Sequence, residues 1–114
     1  MVDATTSVGR LREHVRQFVH AREWERFHTP RDLAMAISIE ASELLELFLW
    51  GGLEAPPEMS SERRTTVGDE LADVMIYGLS LANVLDIDLS EAILSKLKKD
   101  EAKYPADRFR GRAR

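Results

Sequence analysis

The sequence predicts an all-α fold, a four-helix bundle, and three observations lead there. Apolar residues recur at helical spacing through most of the chain, and no segment alternates as a half-buried strand would. Capping signals precede the periodic stretches, as in Thr29-Pro30-Arg31-Asp32 and Asp88-x-x-Glu91. The breaks between stretches carry glycine or proline, at Gly51-Gly52, Pro56-Pro57 and Pro105.

Taken in order, Val8, Leu11, Val15, Phe18 and Val19 mark a first helix over about residues 7–25. Thr29 is placed as an N-cap with Pro30 in the first helical position, which opens a second helix over about 30–50. Gly51-Gly52 is expected to supply its left-handed exit. A loop over 51–60 leads to a third helix that starts near Ser60 or Ser61 and carries Val67, Leu71, Val74, Met75, Gly78, Leu81, Ala82 and Leu85. Asp88 caps a fourth, over about 89–103, with Leu89, Ala92, Ile93 and Leu97 expected to face inward. Tyr104-Pro105 ends it, and 106–114 is expected to be a loose basic tail. The chain reads as one domain over 1–114 with its core between about 7 and 105.

Composition narrows the function. Without cysteine there is no thiolate metal site, disulfide or cysteine nucleophile. No apolar run is long enough to span a membrane, and the first residues lack the pattern of a signal peptide, so a cytoplasmic protein is expected. The net charge of −4 is uneven: residues 96–114 hold eight basic and three acidic side chains, which leaves −9 on the first 95. An acidic body is a poor match to a nucleic-acid binder.

The carboxylates carry the functional signal. Glu40, Glu43 and Glu46 stand at spacings of three in an otherwise apolar helix, and Glu70 and Asp73 repeat the pattern on the third. Residues three apart share a helix face, and like charges there repel. No Lys or Arg lies between Arg31 and Arg63 to offset them. One reading is a wet face or a non-catalytic helical interaction module that pairs its acidic stripe with a basic partner. The other is a shared site for one or two hard cations, which prefer oxygen ligands. His14, His20 and His28 all precede the second helix, so neither acidic stretch carries a histidine, which points away from di-iron or zinc chemistry and towards Mg²⁺ or Mn²⁺. No Gly-rich phosphate-binding motif is present.

Glu40-x-x-Glu43-x-x-Glu46 followed by Glu70-x-x-Asp73 resembles the signature of MazG-like nucleotide pyrophosphohydrolases, members of the all-alpha NTP pyrophosphatase superfamily. Arg22-Glu23-Trp24-Glu25-Arg26-Phe27-His28-Thr29-Pro30, Glu46-Leu47-Phe48-Leu49-Trp50, and Leu94-Ser95-Lys96 with Lys103-Tyr104-Pro105 are similar to the dCTP pyrophosphatase and integron-associated branch. The resemblance implies Mg²⁺-dependent hydrolysis of a nucleoside triphosphate, dCTP or a related or modified pyrimidine dNTP, to the monophosphate and pyrophosphate, as nucleotide-pool house-cleaning. It implies that Glu40, Glu43, Glu70 and Asp73 ligate the metal, and that Glu46 activates water or serves a second metal. It places Trp24, His28 and Trp50 around base and sugar, Tyr77 and Lys96 near sugar and phosphates, and Tyr104 and Arg108 at the phosphates. It also implies a dimer or a dimer of dimers. Two positions depart from the branch: Asp100 stands where Asn is common, and Val15 where some relatives have histidine. Both bear on the preferred base.

Overall fold

The computed structural model describes residues 1–51 and 54–112, and all of its regular structure is helical. Helix α1 spans Val8–Ala21, α2 Pro30–Glu46, α3 Ser61–Leu85, α4 Leu89–Lys103 and a short α5 Ala106–Phe109. Three-residue 3₁₀ turns occupy Asp3–Thr5, Glu25–Phe27 and Pro56–Glu58. No helix among the described residues is long and apolar enough to cross a membrane.

The expected caps form. The Thr29 hydroxyl accepts from the Asp32 amide at 3.1 Å with Pro30 in the first turn, and Asp88 Oδ1 accepts from the Glu91 amide at 2.9 Å. Ser7 and Ser60 cap α1 and α3 in the same way, each at 3.1 Å. Each cap satisfies an amide that the helix leaves free.

Several boundaries differ from the sequence reading. Helix α1 ends at Ala21, four residues early, because Glu23 takes a left-handed φ of 53° and the Glu23 and Trp24 amides turn back to the His20 and Val19 carbonyls at 3.0 and 3.1 Å. That is a Schellman closure. Helix α2 stops at Glu46, and residues 47–50 form turns. Among the described residues there, the left-handed conformation falls on Trp50, at φ 63°, and not on Gly51; Gly52 lies outside the described residues. The tail is not wholly loose: α5 forms at Ala106–Phe109, and Phe109 packs edge-on against Tyr104 with ring centroids 5.3 Å apart.

Helix α3 is the spine. Helix α2 packs along it and α1 docks on its C-terminal half. The core is small, with Val19, Leu33, Leu79 and Ala82 as its buried apolar members. A polar knot fastens α1: Asn83 Oδ1 accepts from Arg12 Nε at 2.8 Å and Arg16 Nη2 at 3.1 Å, and Asn83 Nδ2 donates to the Arg12 carbonyl at 3.1 Å. Arg12 also donates to the carbonyls of Ile87 and Ala82, at the turn that ends α3.

Helix α4 corrects the expectation of an inward face. It packs extensively against none of α1, α2 or α3, and Ala92, Ile93 and Leu97 are exposed, while Leu89 is half-buried. The apolar stripe exists, but among the described residues no helix packs extensively against it. The radius of gyration, 17.0 Å, reflects this projection; a compact chain of this length would have about 13 Å.

Replacing Asn83 by Ala leaves the Arg12 guanidinium short of an acceptor at the α1–α3 junction. Chemical denaturation of N83A is expected to show a loss of about 2 kcal/mol, against a negligible change for substitution of a fully solvated polar residue.

Candidate active site

Helices α2 and α3 lie side by side, and carboxylates from both come together there. Glu40 and Glu43 from α2 and Glu70 from α3 each present an oxygen, and these oxygens lie within 4.8 Å of one another. Glu40 and Glu70 are half-buried and Glu43 is exposed. The Oε2 atoms of Glu40 and Glu70 are buried with no hydrogen-bond partner.

Those conditions are costly for anions. Glu40 is pushed up from 4.5 to about 7, first because a hydrogen bond with Glu43 favours its protonated form, then by desolvation and by the charges of Glu43, Asp73 and Glu70. Glu70 is raised by desolvation first, then by the charges of Glu43 and Asp73. Asp73 stands outside the tight triad but contributes its field to both half-buried members. Orphaned oxygens, an all-oxygen donor set and mutual repulsion are the properties a hard divalent cation relieves. The residues present fit such an ion.

The other sequence-predicted residues fall into separate groups. Glu46 is exposed as the last residue of α2. His28 is half-buried and meets Tyr77 edge-on with centroids 6.4 Å apart, one turn beyond Asp73 on α3. Trp24 packs edge-on against Phe18 at 5.8 Å, with the Arg22 guanidinium lying 3.6 Å from the Phe18 ring centre. Trp50 is fully exposed. Lys96 pairs with Asp100 at 2.6 Å on α4, and Lys103 lies over the Tyr104 ring at 5.4 Å. Arg108 is exposed on α5. Thus α2 and α3 assemble the acids and His28 meets Tyr77 in one chain, whereas the residues of α4 and α5 stand on elements that do not pack extensively on α2.

A cavity of about 420 Å³ lies between α1 and α3, with His20, Glu25, His28, Ser80 and Asn83 in its wall. Of the candidate residues it includes His28, and none of Glu40, Glu43, Glu46, Glu70 and Asp73.

Comparison with known proteins assigns the family. A family model described as MazG-like matches residues 35–114, which takes in all five carboxylates. The chain belongs to the MazG-like family. It is 40% identical over 99 residues to dCTP pyrophosphatase 1 of Bos taurus and 40% identical over 100 residues to that of Homo sapiens, covering 85% and 86% of this chain. This MazG-like chain spans 59% of the length of each of those two proteins. Among solved structures, a pyrophosphatase from Archaeoglobus fulgidus superposes with a TM-score of 0.73 at 42% identity, over 83% of this chain and 89% of that one.

Sequence reasoning missed Arg63. It donates to Glu54 Oε1 from Nε at 3.1 Å and Nη2 at 2.9 Å, donates to the Leu47 carbonyl, and lies 5.1 Å from the Phe48 ring centre. The available signal was its position as the first cation after an acidic stretch.

The raised carboxylates give the MazG-like chain a pH signature. A carboxyl that is easier to protonate folded than unfolded means that the folded state binds more protons, so stability falls as pH rises. For Glu40 the loss accumulates between 4.5 and about 7. Thermal melts of the metal-free protein should therefore drop from about pH 5 to about pH 8, and added Mg²⁺ should raise the melting point more at the higher pH.

Proposed function

We propose that this chain hydrolyses a nucleoside triphosphate, dCTP or a related or modified pyrimidine dNTP, to the monophosphate and pyrophosphate with Mg²⁺. The observation that carries this reading is the triad of Glu40, Glu43 and Glu70, whose two buried oxygens have no partner within the protein. The names of the relatives support the same chemistry.

Glu40, Glu43, Glu70 and Asp73 would hold the cation, with Mn²⁺ as a substitute. When bound, the ion neutralises phosphate charge and acts as a Lewis acid on the phosphoryl oxygens. In this reading Glu46, exposed at the end of α2, would accept the proton of the attacking water. The water oxygen forms the new bond to phosphorus as the α–β anhydride breaks, and pyrophosphate leaves with the electron pair. The aromatic faces of Trp24 and Trp50 stack against the base, while His28 and Tyr77 bound the sugar one turn beyond Asp73. Lys96, Tyr104 and Arg108 supply phosphate contacts, and Asp100 governs Lys96 through their 2.6 Å pair.

The active species in this reading is a homodimer or a dimer of dimers. Helix α4 carries Lys96 together with Ile93, Leu94 and Leu97, which are 48%, 63% and 55% exposed in the isolated chain. Apolar exposure of that extent on one helix marks an association face. Covering it with a second copy would bring cations of one chain to the acids of the other, which matches the uneven charge along the sequence.

The direct experiment is a panel of common NTPs and dNTPs assayed for pyrophosphate release with Mg²⁺ and with a chelator. Glu43→Ala and Asp73→Ala should abolish release while circular dichroism shows unchanged helix content; full activity in either would remove that residue from the site. For the assembly, Ile93→Asp combined with Leu97→Asp should shift sedimentation towards the monomer and reduce turnover together. Monomeric protein with full turnover would contradict the shared site.

A further inference from the structure

Trp50 occupies an unusual position. It is fully exposed, and its φ of 63° places a bulky residue in the left-handed region that glycine normally fills. Such a conformation persists where the surrounding structure over-determines it. One holding device is visible. Ser60 caps α3 by accepting from the Arg63 amide at 3.1 Å, which fixes the Arg63 backbone in the first turn. From there the guanidinium crosses to the exit of α2, where it donates to the Leu47 carbonyl and lies against the Phe48 ring. Its remaining hydrogen bonds go to Glu54, on the far side of Trp50 in sequence. The pair is largely shielded, with the Arg63 and Glu54 side chains 27% and 34% exposed. Arg63 therefore grips the chain three residues before Trp50 and four residues after it.

We infer that Arg63 is a positioning residue that presents Trp50 to the nucleotide. Its charge is committed to Glu54, so it is not a free phosphate ligand; its effect passes through the backbone of the segment it holds. A planar guanidinium is suited to this because it satisfies a carbonyl, a carboxylate and an aromatic face at once, which an ammonium does not. The same grip joins the residue after Glu46 to the start of α3, two turns before Glu70, so it also sets the open end of the α2–α3 pair. This rests on the reading of Trp50 as a stacking residue.

The test is a double-mutant cycle on KM with Arg63→Ala and Trp50→Ala. Arg63→Ala should raise KM about fivefold with kcat within about twofold, and it should have no further effect on KM in the Trp50→Ala background. Glu54→Gln should move KM in the same direction by less, and Arg63→Lys should recover only part of the loss. Additive effects of the two alanine substitutions, or a fall in kcat at constant KM, would overturn the inference. A second readout needs no turnover: in a Trp24→Phe background Trp50 is the sole tryptophan, and its fluorescence anisotropy should fall on Arg63→Ala. An unchanged anisotropy would overturn the positioning role by itself. A fall in anisotropy in a protein that hydrolyses no triphosphate would sustain that role and sink the proposed activity instead.

Discussion

The arrangement depends on carboxylates that the packing of α2 on α3 forces together. Helix α2 lies along α3, and this brings Glu40 and Glu43 from one side and Glu70 from the other into one cluster. The protein pays for this in electrostatics, because two of the oxygens are buried without a partner and Glu40 titrates near neutrality. A sequence selected for stability alone would place a cation among them or turn them outward. For Glu40 and Glu70 neither has happened, and the cation-site reading follows from that.

The rest of the chain is built around keeping α3 in place. Its caps, Ser60 at one end and the left-handed Asp86 at the other, give it 25 residues of uninterrupted helix, long enough to carry the acids, Tyr77 and the α1 docking site in succession. Asn83 and Arg12 lock α1 at its C-terminal end, and Arg63 locks the α2 exit at its N-terminal end. The apolar core between them is thin, and large apolar side chains such as Met35, Ile39, Met75 and Leu97 remain about half exposed or more. Burial of such surface contributes roughly 25 cal/mol per Å², so an isolated chain leaves much of its available stabilisation unused. Association would recover it, and the projecting α4 is the element best placed to do so.

What the sequence made legible is what local chemistry decides. Helix starts followed from Thr29, Ser60 and Asp88, whose side-chain oxygens cap the helix amides directly. The acidic edge was readable because three-residue spacing maps onto one helix face whatever the tertiary fold. What was not readable depended on distant partners. The inward face assigned to α4 assumed a neighbour within the same chain, and periodicity reports that a face is apolar without saying what covers it. The exit of α2 was assigned to the glycines by propensity, yet Trp50 takes the left-handed residue while Arg63 holds the segment from thirteen positions away. Asn83 and Arg12, 71 residues apart, carry no sequence mark of their pairing.

The central claim is that the α2–α3 acids form a cation site, and direct measurement of Mn²⁺ binding by electron paramagnetic resonance addresses it without reference to substrate or turnover. The wild-type chain should deplete the signal of free aqueous Mn²⁺ saturably, with Mg²⁺ competing, and Glu40→Gln and Glu70→Gln should each return the signal to that of the ion alone. Depletion that is equal in wild type and both variants, or absent throughout, would contradict the account.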